Sequence, residues 1–220
     1  VAVDETVLRV AVVEKGRVTA IVVAGGRVRS NRAVVLDPAP ALPALTEKDR
    51  TAVEVAVAAG VGHFALGYAA SADAVKELRA LVPPDARVLA RIDSRAGVEQ
   101  RVEIIAAADV VVVGRHHLAA EVPIEQVPFL QKAIAREGAE AGTPVWVATG
   151  RSGDTPTATA TVAEANDIAN LLLDGVSGLV LTGETAVGSD PFGAVERITG
   201  LLAGFEKTAG DWVPEVSRTV

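Results

Sequence analysis

Two hydrophobic periods divide the chain. From residue 1 to about 36, apolar and polar positions alternate in steps of two, the spacing of a strand with one covered face. Strands are predicted at 6–13 and 17–24, joined by a turn at Glu14, Lys15 and Gly16, with a further turn opening at Gly25 and Gly26. Pro38, Pro40 and Pro43 then stiffen a connector. From residue 45 the pattern becomes helical spans alternating with short, continuous apolar runs. Thr46, with Asp49 three residues on, opens a predicted helix that Gly60 closes. Further helices are predicted at 72–81, 98–107, 123–142, 164–173 and 191–205, and apolar strands at 64–68, 88–93, 109–114, 144–149 and 179–181. Continuous apolar strands separated by helices imply an α/β protein whose parallel sheet is covered on both faces and whose crossovers are right-handed. A doubly wound sheet and a portion of a (β/α)₈ barrel both satisfy this pattern. A full barrel takes about 250 residues and eight strands, so the five units read here fall short of one. The expected division is a β-rich segment at 1–36, a linker at 37–44, an α/β body at 45–206 and a tail at 207–220.

Composition narrows the function classes. Half of the 220 residues are hydrophobic, enough for a well-buried core, but aromatics are scarce, so that core must be aliphatic. The formal net charge of −7 argues against nucleic acid or an acidic membrane surface as a partner. With no cysteine, disulfides, thiolate catalysis and cysteine-ligated zinc are excluded. No apolar run has the length of a membrane span and the N-terminus has no signal-peptide layout, so a soluble, cytoplasmic protein is expected.

Chemistry is expected where parallel strands end, because α/β folds collect their reactive groups at that edge. Arg91, Asp93, Arg115, His116, His117, Thr149, Thr182 and Glu184 fall there. Asp93 and His117 follow successive strands and are expected to lie close together, where carboxylate and imidazole can share a divalent metal. The plainer alternative has Asp93 capping the next helix and His117 solvated. Arg91 and Arg115 carry permanent charge and can grip a carboxylate or phosphate, or else pair with Asp93, Glu121 or Glu184. The stretch 150–159 is rich in Gly, Ser and Thr and could bind an anion through backbone amides, yet it lacks a phosphate-loop pattern and reads as an ordinary connection. No dinucleotide fingerprint surrounds Gly25, Gly26 or Gly188.

The run Leu179-Val180-Leu181-Thr182-Gly183-Glu184-Thr185-Ala186-Val187-Gly188 resembles the end-of-barrel signature of pyruvate kinase, Ser-Gly-Glu-Thr-Ala-x-Gly. Residues 42–49, 109–123, Gln131-Lys132, 141–145, Ala148-Thr149 and Glu164 with Asp167 to Asn170 follow in that family's order. The resemblance implies a partial TIM (β/α) barrel of pyruvate-kinase type, five βα units long, with residues 1–36 as a remnant of the mobile lid. It also implies phosphoenolpyruvate, pyruvate or a related 2-oxo acid as substrate, a divalent metal (Mg, Mn or Zn) on Asp93 and His117, and ADP or ATP as nucleotide. Arg91 and Thr149 would be catalytic, and Arg115, His116, Thr149 and Glu184 would bind substrate. The departures are as specific as the matches. Arg91 and Asp93 stand where the family has lysine and glutamate, and Arg115-His116-His117-Leu118-Ala119 replaces Arg-Gly-Asp-Leu-Gly. The family's first three strands, with their Arg-x-Asn-x-Ser stretch, have no counterpart in residues 1–36. Two functions follow: an enzyme working through a metal-stabilised enolate with reduced kinase activity, or an inactive paralogue serving as a scaffold or regulatory subunit. A homo-oligomer, or a second chain completing the barrel, is implied by the missing strands and by helices at 123–142 and 167–173, which lie where the family forms its dimer contact.

Overall fold

The computed structural model of the chain describes residues 1–3, 6–28, 34–36, 42–149, 160–188 and 190–212. Two compact units are present, Val1–Pro43 and Ala44–Val220.

The first unit is an antiparallel sheet of order β3-β2-β1-β4, built from β1 (Ala2–Val3), β2 (Thr6–Glu14), β3 (Arg17–Ala24) and β4 (Val34–Val35). Gly16 takes a φ of +78°, which lets the chain reverse between Glu14 and Arg17, paired across the hairpin. The alternation in this region predicts a covered face. Instead, most valines of both strands are solvent-exposed, Val13 at 72% and Val18 at 59%. This unit has strands but no described helix to supply a second layer, so its apolar positions stay open.

The second unit is α/β. Its strands β5 (His63–Leu66), β6 (Arg87–Ile92), β7 (Val110–Val113), β8 (Val145–Ala148) and β9 (Gly178–Val180) pair in chain order, all parallel. Around them run α1 (Glu47–Ala58), α2 (Ala72–Arg79), α3 (Arg95–Glu99), α4 (Arg101–Ala107), α5 (Arg115–Glu121), α6 (Val127–Ala141), α7 (Val162–Leu173), α8 (Gly183–Val187) and α9 (Pro191–Trp212). Sequential order without reversal is the arrangement of a barrel segment, whereas a doubly wound sheet reverses direction. The core is aliphatic: Val75, Val88, Ile92, Ile104, Val111, Val113, Leu118, Ile134, Val147 and Leu171 are essentially sealed from solvent. Along β6 burial alternates. Val88, Ala90 and Ile92 are sealed, while Leu89 and Arg91 on the other face are half-buried. The two faces of the sheet are therefore not equally covered, as the continuous apolar runs alone suggest they should be.

Local chemistry sets the helix boundaries. Thr46 and Asp49 form a complete capping box at α1, and Thr161 and Glu164 form another at α7. Ser94 caps α3, accepting from the Gly97 N–H at 3.2 Å, so the expected single helix at 98–107 starts earlier and breaks at Gln100 into α3 and α4. Gly142, with φ +71°, ends α6 in the left-handed conformation. The closing helix α9 runs to Trp212, into the region read as a tail. Between β8 and β9 the Gly178 backbone packs against the Trp146 indole. A Cβ there would stand 2.5 Å from Cδ1 of the ring. No helix among the described residues is long and apolar enough to cross a membrane.

Candidate active site

Parallel register builds the site. Ile92 of β6 pairs with Val113 of β7, so the next residues, Asp93 and Gly114, come level at the carboxyl end of the sheet. The Gly114 N–H donates to the Ile92 carbonyl at 3.1 Å and holds that alignment. A Cβ on Gly114 would fall 1.6 Å from Asp93 Oδ1. Glycine is therefore what allows the carboxylate its place, 1% exposed. Gly114 is also the residue from which α5 starts, and the first turn of that helix folds His117 back toward Asp93.

Three groups converge on the buried carboxylate. The Arg91 guanidinium donates through Nη2 to Oδ1 at 3.2 Å. His117 Nδ1 lies 3.7 Å from the same oxygen. The Tyr68 N–H points at Oδ2 from 3.4 Å. Tyr68 holds a φ of 51°, rare for a residue with a side chain. It is fixed there by the adjacent Ala69 N–H, which donates to the Arg91 carbonyl at 2.9 Å. Its ring meets the His117 imidazole edge to face, with centroids 5.5 Å apart. His116 stands beside His117 with ring centroids at 5.8 Å.

The electrostatics follow from burial and neighbours. Burial pushes the His117 imidazole below its ordinary value; Asp93 pulls it back up, while Arg91 and His116 push it further down, and the net shift is downward. Burial raises the Tyr68 phenol, the carboxylates of Asp93 and Glu121 raise it further, and Arg91 opposes them. Both directions favour the uncharged forms of the His117 imidazole and the Tyr68 phenol at neutral pH.

The remaining predicted residues are placed differently. Arg115 grips the Asp167 carboxylate with both arms, at 2.6 and 2.8 Å, and reaches Gln131 and the Ala148 carbonyl at 3.4 Å. Its partner is a residue of α7, and not Asp93 or Glu121. Glu121 accepts instead from the Arg95 N–H at 2.8 Å. Asp93 does not cap the next helix; Ser94 does. Thr149 is buried after β8, its hydroxyl donating to the Val180 carbonyl at 3.3 Å, and its own carbonyl accepts from the Thr182 hydroxyl at 3.3 Å. Glu184 lies on α8, but its side chain, like the stretch 150–159, is outside the described residues. Tyr68 is the participant that sequence reasoning passes over. Nothing in its residue type signals the left-handed backbone that brings its N–H to Asp93.

Asp93 and His117 are close enough to share an ion with bonds of roughly 2.1 Å. The rest of the donor set does not fit one. Among the described residues no group of three His, Cys, Asp or Glu side chains could hold a metal. The carboxylate oxygen that faces His117 already receives a permanent cation. Magnesium in particular takes oxygen ligands and keeps several waters, and a carboxylate sealed from solvent leaves them no room.

Comparison with known proteins agrees with this architecture. The family model for the pyruvate kinase barrel domain matches residues 1–195. A pyruvate kinase of Methylorubrum extorquens is 34% identical over 217 residues, covering 96% of this chain and 45% of that protein. One from Corynebacterium efficiens is 36% identical over 214 residues, 94% of this chain and 44% of the relative. One from Geobacillus stearothermophilus is 34% identical over 195 residues, 84% and 32% respectively. The chain spans less than half the length of these curated relatives. With five consecutive parallel strands and a family match across residues 1–195, the chain belongs to the pyruvate kinase family and carries part of its barrel domain.

Proposed function

We propose that the barrel portion acts on a small 2-oxo acid, pyruvate or phosphoenolpyruvate by kinship, through its enolate, with phosphoryl transfer to or from ADP and ATP reduced. The supporting observation is the convergence of Arg91 and His117 on buried Asp93 at the carboxyl end of the sheet. Enolising a 2-oxo acid needs a base for the carbon-bound proton and positive charge for the oxygen. A neutral His117, 3.7 Å from Asp93, takes a methyl proton of pyruvate. The C–H electron pair becomes the carbon–carbon double bond and the carbonyl pair moves onto oxygen, where Arg91 supplies the opposing charge. Reversal returns the proton. Thr149, Arg115, His116 and Glu184 are the proposed substrate-holding set around this centre.

Exchange of the pyruvate methyl protons in D₂O, followed by NMR, tests the reading. Exchange that falls about 100-fold in His117→Ala supports it. A folded wild-type protein that exchanges nothing sinks it and leaves the second reading, an inactive scaffold or regulatory subunit. That reading draws on Arg115 and Thr149, whose donors are directed at protein partners. A homo-oligomer, or a second polypeptide that completes the barrel, is proposed under either reading, and native mass measurement tests it.

A further inference from the structure

The geometry points to Arg91 as a built-in cation: its guanidinium stands on the Asp93 carboxylate where a divalent ion would have to bind, and keeps that ion out. Asp93 Oδ1 receives Arg91 Nη2 at 3.2 Å, and Oδ2 is faced by the Tyr68 N–H. The carboxylate rests against the Gly114 backbone and is 1% exposed, so it cannot swing to offer another lone pair. Arg91 Nε is itself buried, with no hydrogen-bond partner among the described residues. An unused N–H donor is the reverse of what a cation's ligand shell requires. The charges also count against an ion. Arg91 and Asp93 cancel, and His117 adds no negative charge. At about 4 Å the repulsion between a guanidinium and a dication exceeds that between two single charges by a factor of about two. Arginine cannot relieve this by releasing its proton.

The consequence is a gain of binding on removing the arginine. Mn²⁺ is titrated into the untagged chain and free ion is followed by electron paramagnetic resonance, with circular dichroism confirming the fold of each variant. Arg91→Gln is expected to bind Mn²⁺ at least about ten-fold more tightly than wild type, Arg91→Met likewise, and the gain is expected to vanish in Arg91→Gln/Asp93→Asn. Wild-type protein that already binds Mn²⁺ at a site lost in Asp93→Asn overturns the inference without any arginine variant. So do folded Arg91→Gln and Arg91→Met proteins with wild-type affinity. The readout is metal affinity, so this inference stands or falls apart from the enolate reading, which proton exchange tests.

Discussion

Gly114→Ala adds a single methyl group, yet it is expected to cost about 2–4 kcal/mol, because the new Cβ claims the space of a buried, charge-paired carboxylate and forces it off Arg91. Gly67→Ala is the control. Nothing lies within 4 Å of a Cβ there, and a change within about 0.5 kcal/mol is expected. Urea denaturation of both variants decides the matter; equal, small effects would mean Asp93 is not held as described. Strand order made Asp93 and His117 legible as neighbours, since consecutive strands of one sheet deliver their ends to one rim. The guanidinium on the same oxygen was open to reading only as one alternative, because residues two apart on a strand share a face without having to meet. The left-handed Tyr68 was beyond reach: nothing in its residue type favours that conformation, and it is imposed by the Ala69 to Arg91 hydrogen bond.

Between elements, a few polar contacts tie helices to strands. Asp109, just before β7, accepts from the Val88 N–H of β6 at 2.7 Å and pairs with Arg79 of α2, which also donates to the Ala86 carbonyl at 2.6 Å. Burial pushes the Asp109 carboxyl up, but the bonds from Arg79 and Val88 outweigh it and leave it below its ordinary value. A carboxyl lowered in the fold contributes stability above its unfolded value, and that contribution drains as pH falls toward the folded one. Asp109→Asn should therefore flatten the acid limb of stability below about pH 4, leaving the neutral-pH slope unchanged; an unaltered limb would contradict the assignment. Arg115 and Asp167 join α5 to α7, and a double-mutant cycle with alanine is expected to give a coupling near 1 kcal/mol, discounted for the 41% exposure of Asp167. The strands of this unit were readable because each is a short, mostly apolar run between helical spans. Helix α5 was not, since Arg115-His116-His117 has no apolar period and only Leu118 of the helix is buried. The Thr161 and Glu164 pair was a usable start signal for α7 that the apolar count, which placed the start at Glu164, overrode.

At the scale of the whole molecule, the five-stranded sheet ends at β5 on one side, and no described strand pairs beyond it. A groove of about 480 Å³ runs there, lined by residues that include Leu45, Val53, Ala56, Val61, His63 and Phe64. Unpaired apolar edges recruit other strands, so concentration-dependent association is expected in sedimentation experiments. Ala65→Lys, at an exposed position of β5, should suppress it; persistence of association in that variant would place the contact elsewhere. At the other end of the sheet, the indole of Trp146 packs on Gly178. The chain has two tryptophans, and replacing Trp212 by phenylalanine would leave one emitter, seated on the seam between β8 and β9. Its emission colour would then register water entering that seam, so the protein carries its own optical gauge for the parting of these two strands.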